Sequence, residues 1–317
     1  MRHSLPQLSR LFIADAGLET DLIFNRGVDL PCFSAVTLLR DDKGRRILDD
    51  YFRSFLELAR HAGTGCLLES ASWRASPDWA PKLGLELAEL EALNRSSVEM
   101  LKWLRDEYRS ERTPVVVSGC IGPRGDGYDP GRIMTAGEAE DYHSWQARAL
   151  ASAGPDLLSA ITMTNPNEAI GIARAARETG LPVVISFTVE TDGRLPTGDT
   201  LRSAVESVDR ATGAYPGYYM INCAHPTHFM PVLDSSGKWT KRIGGLRANA
   251  SRCSHAELDA MTELDSGDPA ELGLLYRTIR DDLPSVKVLG GCCGTDIRHV
   301  TAIAEACASE QPLPSAA

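Results

Sequence analysis

The chain has 317 residues, with 33 Lys and Arg against 43 Asp and Glu, a formal net charge of −10. That acidic balance excludes a surface built to grip nucleic-acid phosphates, which needs clustered Lys and Arg. Hydrophobic residues at 43% and charged residues at 24% are the proportions of a globular protein with a large core. No window approaches the roughly 18 apolar residues of a membrane span. The opening MRHSLPQLSRLFIADAG has no apolar run long enough for a secretion signal, so a cytoplasmic setting is expected.

Short apolar runs of strand character recur along the chain, each read as a strand. They are Leu11–Ala14, Cys66–Glu69, Val115–Gly119, Leu157–Ile161, Val183–Phe187, Tyr218–Asn222, Ile243–Leu246 and Val286–Leu289. Between them lie helix-like segments. Asp49–Ala62 stops at Gly63, and Leu85–Tyr108 is rich in Leu and Glu. Thr135–Ala153 opens with the Thr135/Glu138 spacing of a capping box. Asn167–Thr179 ends at Gly180, Pro269–Asp282 follows Asp268 as N-cap, and Asp296–Ala308 closes the pattern. Val189–Arg194 and Asp234–Lys241 read as polar loops, and QPLPSAA as a short flexible tail. Strands of unbroken apolar character alternating with helices predict a parallel sheet covered by helices. Eight such units fit one (β/α)8 barrel over residues 1–317. An open doubly wound sheet is the runner-up, but the first turn, ADAGLETD, lacks the GxGxxG phosphate fingerprint.

In a barrel the chemistry sits at the C-terminal strand ends. The sixth end carries Asn222–Cys223–Ala224–His225 and the eighth carries Gly291–Cys292–Cys293–Gly294, so three thiols face one mouth. The chain has eight cysteines, no secretion signal and no short-period framework, which argues against disulfides. Three converging thiolates predict a soft metal site with a fourth position open, and zinc is the natural occupant. Gly290, Gly291 and Gly294 give the backbone the freedom to turn both cysteines inward. Such a site is a poor source of hydroxide but a good place to hold a substrate thiol as thiolate, so the implied chemistry is S-alkylation. A vicinal disulfide, a redox pair and simple packing are the competing readings of Cys292–Cys293. His225 and His228 rank below the cysteines as ligands. Cys32, Cys66, Cys120, Cys253 and Cys307 need no more than packing.

NCAHP at Asn222–Pro226 and GGCCGT at Gly290–Thr295 resemble the two zinc motifs of the homocysteine S-methyltransferase family. DAGLETDLIFNRG (Asp15–Gly27), SASWRAS (Ser70–Ser76) and SGCIGPRGDGY (Ser118–Tyr128) resemble further segments of it. The resemblance implies Zn2+ on Cys223, Cys292 and Cys293, with the acceptor sulfur as fourth ligand. It implies that Asp15 holds the ammonium of homocysteine, that the backbone N–H groups near Gly17 and Leu18 hold its carboxylate, and that Asn222 orients ligand or substrate. The implied partners are a small-molecule thiol acceptor and a methyl donor, a sulfonium or ammonium compound, with neither nucleic acid nor membrane and with a homo-oligomer left open. Trp73 offers that donor a cation–π face; taken alone, Trp73 and Trp79 read as core or lid. Glu19 and Glu69 are candidate contacts for donor or substrate, while Arg124 and Arg247 pair with a carboxylate or with local acids. The chain departs from the family pattern at Ile161, where many members carry a glutamate for the substrate amine, and at Ala71, an asparagine in the motif. A related thiol or selenol acceptor, a redox dithiol, and a thiol-binding zinc protein without methyl transfer are the alternatives.

Overall fold

Strand β3, Val115–Ile121, is buried at every position, as expected of a strand covered on both faces. The same holds for β1 (Phe12–Ala14), β2 (Gly65–Glu69), β4 (Leu157–Met163) and β5 (Val183–Thr188). It holds also for β6 (Tyr219–Asn222), β7 (Ile243–Ala248) and β8 (Val288–Gly291). The computed structural model describes residues 5–308; the tail QPLPSAA lies outside them. All eight strands pair in parallel, each with its sequence neighbour, and β1 closes on β8. The (β/α)8 barrel read from the sequence is therefore the observed fold.

The helices are α1 (Leu18–Thr20), α2 (Asp42–Ala62), α3 (Leu87–Tyr108), α4 (Ala136–Ser152) and α5 (Pro166–Thr179). They continue with α6 (Leu201–Thr212), α7 (Pro226–Phe229), α8 (His255–Ala260), α9 (Pro269–Asp282) and α10 (Ile297–Ala308). Thr135 and Glu138 form the expected capping box, and Asp268 caps α9. Several boundaries moved: β3, β4 and β7 each run two residues further than expected, and two other shifts have a visible cause. Helix α2 starts at Asp42 rather than Asp49, because Asp41 caps it by accepting from the Gly44 N–H at 2.7 Å. Strand β8 ends at Gly291 rather than Leu289, so its two glycines pair with β7. Helix α6 was not anticipated; it is capped by Thr200 and buries Leu201, Ala204, Val205 and Val208 at helical spacing.

Inside the barrel an apolar plug includes Phe12, Leu67, Val116, Leu157, Val184, Met220 and Val288. Two residues further along β2 to β6, on the same face, stand Glu69, Ser118, Ser159, Ser186 and Asn222, joined by Arg247 of β7, all buried. A polar layer thus roofs the plug and forms the floor of the barrel mouth. On the outside, Gly171 of α5 lets that helix sit tightly on α4. A methyl there would stand 2.6 Å from the Glu140 backbone nitrogen and 2.7 Å from the Ala139 carbonyl carbon. Alanine gains about 1 kcal/mol of helix propensity, but the overlap costs about 1–3 kcal/mol. Gly171→Ala is therefore expected to lower the denaturation midpoint; an unchanged or raised midpoint would show that the two helices can separate freely.

Candidate functional site

The barrel mouth holds a cavity of about 490 Å³. Cys223, Cys292 and Cys293 line it, and their sulfur atoms all lie within 4.8 Å of one another. The backbone is shaped for this convergence. Cys223 adopts φ +52°, a left-handed conformation that costs a non-glycine residue energy. Its N–H donates to the Arg247 carbonyl (3.1 Å) and its carbonyl accepts from His255 Nε2 (2.6 Å). Gly294 at φ +77° turns the chain after the Cys292–Cys293 pair, and the Cys292 carbonyl accepts from Thr295 Oγ1 at 2.7 Å. Each sulfur has one polar hydrogen-bond neighbour. Thr162 Oγ1 lies 3.9 Å from Cys223 Sγ, Asn222 Nδ2 lies 3.8 Å from Cys292 Sγ, and the Tyr128 hydroxyl lies 3.1 Å from Cys293 Sγ.

One expectation is corrected here. The sequence argued against disulfides, yet the Cys223 and Cys292 sulfurs lie within bonding reach and are joined as a disulfide, with Cys293 Sγ 3.9 Å from Cys223 Sγ. Convergence of thiols for a metal also brings them close enough to oxidise. The redox reading is changed too, since the paired residues are Cys223 and Cys292 rather than the adjacent pair. The donor set itself, three sulfurs with N–H or O–H groups aimed at them, suits a soft cation such as zinc and not an oxygen-seeking one. Burial raises the Cys293 thiol above its ordinary range, so it takes an added positive charge to hold it as thiolate.

The other expected residues fall in different places. Asp15, Gly17, Leu18 and Trp73 line the cavity. Asp15, however, is already engaged: Arg247 Nη1 stands 2.6 Å from its Oδ1, with both side chains buried. Burial raises the Asp15 carboxyl and Arg247 opposes the rise. The two atoms touch as an ion pair but lack hydrogen-bond alignment. The Gly17 N–H donates to Thr295 Oγ1 at 3.2 Å. Asn222 is fully buried beneath the cavity; it accepts from the Thr162 N–H (3.0 Å) and Ser186 Oγ (2.6 Å) and holds the cysteine loops in register. One face of the Trp73 ring is covered by the Arg74 guanidinium, 4.9 Å from the centroid, so a cationic donor approaching that face meets like charge. Trp79 is buried outside the cavity, under Arg74 and Lys82. His225 caps α7, and His228 binds the Arg252 carbonyl; neither joins the sulfurs. Arg124 pairs with Asp78 at 2.8 Å.

Of the remaining cysteines, Cys66 and Cys307 are packed, as expected. Cys32 is exposed, Cys253 is half-buried, and Cys120 is buried but forms part of the cavity wall, so packing alone does not describe these three. Sequence reading missed Tyr128 and His255. The Tyr128 ring stacks on His255 at 3.9 Å, and His255 Nδ1 faces Glu190 at 3.1 Å. Tyr128 closes the Ser118–Tyr128 segment after β3 and His255 opens the short helix α8 after β7, and periodicity marks neither.

A closed parallel barrel with a thiol cluster at its C-terminal mouth sets soft donors where barrels of this kind carry their chemistry. The family model for homocysteine S-methyltransferase matches residues 12–307, and the chain belongs to that family. Among its relatives, homocysteine S-methyltransferase 1 of Arabidopsis thaliana is 24% identical over 92% of this chain and 91% of the relative. Selenocysteine Se-methyltransferase of Brassica oleracea var. italica is 24% identical over 99% and 93%. The fold is shared with the homocysteine methyltransferase MmuM from Escherichia coli. Its oxidized form has a TM-score of 0.69 at 23% identity, covering 92% of this chain and 94% of that one. Its metallated form has a TM-score of 0.69 at 21% identity, covering 93% and 96%.

Proposed function

We propose that this protein transfers a methyl group from a small sulfonium or ammonium donor to the thiol of homocysteine, forming methionine, with Zn2+ as its metal. The observation that carries the reading is the convergence of Cys223, Cys292 and Cys293 within 4.8 Å at the mouth of a barrel of this family. Those three residues would hold the ion, which when bound supplies a positive charge that keeps an acceptor thiol deprotonated at neutral pH.

The chain's own residues do the rest. Tyr128, Thr162 and Asn222 fix the three sulfurs from outside the cluster, as outer partners of metal ligands do. The cavity walls orient acceptor and donor, so that catalysis is thiol activation plus orientation. No general base would be required at the transfer step, because an acceptor thiol held at the three cysteines' metal would already have lost its proton to solvent. Metal loading and the Cys223–Cys292 disulfide are exclusive uses of the same thiols, so the active protein is the reduced one. A reducing compartment such as the cytoplasm suits it, and no described helix is long and apolar enough to cross a membrane. We read the whole chain as one catalytic domain.

The test is a donor screen on reduced, zinc-loaded protein: homocysteine with S-methylmethionine, S-adenosylmethionine or betaine, following methionine. Methionine formation with at least one donor is expected. Zinc binding without methionine from any donor would replace the reading with that of a thiol-binding zinc protein.

A further inference from the structure

Two residues outside the cysteine cluster touch each other while each reaches a different cysteine. Tyr128, in the loop after β3, places its hydroxyl 3.1 Å from Cys293 Sγ. His255, the first residue of α8, brings Nε2 to 2.6 Å from the Cys223 carbonyl. The two rings stack, with centroids 3.9 Å apart and planes 19° from parallel. Segments from β3 and β7 thus join over the segments from β6 and β8 that carry the thiols.

Each ring is set by its own surroundings. The Tyr128 N–H donates to Asp126 Oδ1 at 2.8 Å. Gly127 packs so closely that a Cβ there would stand 3.0 Å from Thr162 Cγ2 and 3.1 Å from Trp73 Cζ2. Ser254 and Glu257 form a capping box that starts α8, and Glu190 Oε1 stands 3.1 Å from His255 Nδ1. Cys223 needs such support, because a non-glycine residue keeps φ +52° only where its surroundings over-determine it. Its carbonyl accepts from His255 Nε2 and, at 3.3 Å, from Thr188 Oγ1. A carbonyl can only accept, so Nε2 carries the proton; a thiolate can only accept, so the Tyr128 hydroxyl donates to Cys293 when that sulfur is charged. Leu258 and Asp259 of α8 line the cavity, so the same contacts tie one cavity wall to the cluster.

We propose that Tyr128 and His255 act as one positioning unit for the metal-binding thiols. The hydroxyl draws charge from the Cys293 sulfur, His255 holds the turn at Cys223, and the stack makes each depend on the other. The proposal rests on the three cysteines being metal donors, as set out above.

The experiment measures zinc affinity by competition with a chromophoric chelator, and the sulfur-to-metal charge-transfer band after cobalt(II) substitution. Reduced wild type, Tyr128→Phe, His255→Ala and the double variant are compared. Tyr128→Phe should weaken zinc binding by about tenfold and His255→Ala by about tenfold to a hundredfold. Tyr128→Phe should move the band to lower energy, because a thiolate that loses a hydrogen bond gives up its electrons more readily. His255→Ala should move it the same way, although the bonds of His255 go to Cys223 and Glu190; a merely structural role would leave the band in place. The double variant should bind zinc about as well as His255→Ala, since the hydroxyl is already displaced there. Unchanged affinity in Tyr128→Phe, an unmoved band in His255→Ala, or losses that multiply in the double variant would each overturn the proposal. If His255→Ala does not fold, His255→Gln, which keeps an N–H donor and lacks the ring, is read in its place: a shifted band supports the unit and an unmoved one overturns it. A wild type that binds neither metal rejects the metal reading and this proposal with it, whereas variants that match a metal-binding wild type overturn the proposal alone.

Discussion

Cys293→Ser is expected to lower methyl transfer to homocysteine by at least about three hundredfold and to abolish stoichiometric zinc binding. Serine keeps the volume and a hydrogen-bonding partner for the Tyr128 hydroxyl, 3.1 Å away in the parent, so the loop after β8 should survive. What goes is the third soft donor. A free thiol with a pKa near 8.5 is only about one-thirtieth thiolate at pH 7. Losing the activating charge therefore costs roughly thirtyfold, and losing the anchor for the acceptor sulfur costs at least about tenfold more in orientation. Metal content by elemental analysis and kcat by methionine formation should fall together. A variant that keeps about one equivalent of zinc and most of its rate would remove Cys293 from the site.

Arg247→Met is expected to destabilise the barrel by about 3–5 kcal/mol, because it strands Asp15 as an unpaired buried charge. The ion pair measures 2.6 Å, with the side chains only 8% and 3% exposed. At this chain length such a loss lowers Tm by roughly 5–8 °C. Removing both partners should cost far less: the Asp15→Asn, Arg247→Met double variant should recover most of the loss, because no lone charge is left buried. Differential scanning calorimetry of the four proteins gives the coupling directly. Additive losses would mean that Asp15 and Arg247 act independently.

The fold was legible in the sequence because a parallel barrel writes itself as apolar runs buried on both faces, and β3 and β4 are apolar enough to be unmistakable. Strand β1, only Phe12–Ala14, was legible by its neighbours rather than by its length. Helix α6 escaped because the preceding loop, Val189–Arg194, drew the reading toward irregular structure, although Thr200 and Gly213 mark both ends of the helix. The cysteines were legible because strand-end position converts sequence distance into proximity. The pairing of Asp15 with Arg247 was not. Both residues were visible at strand ends, but a residue at a strand end has several neighbours within reach. The pair joins β7 to β1 across β8, where a Cβ on Gly290 would stand 2.7 Å from the Asp15 carbonyl oxygen and 2.9 Å from Ala14 Cβ. A contact that skips a strand has no signature in periodicity. The Tyr128–Cys293 contact was likewise invisible, because a long loop has no repeat from which to read direction.

The central claim is that the three cysteines form a metal site that accepts the substrate sulfur. X-ray absorption at the zinc edge of reduced, zinc-loaded protein, before and after addition of homocysteine, tests it most directly. The expected result is a sulfur count that rises from about three to about four. A sulfur count that homocysteine leaves unchanged would contradict it.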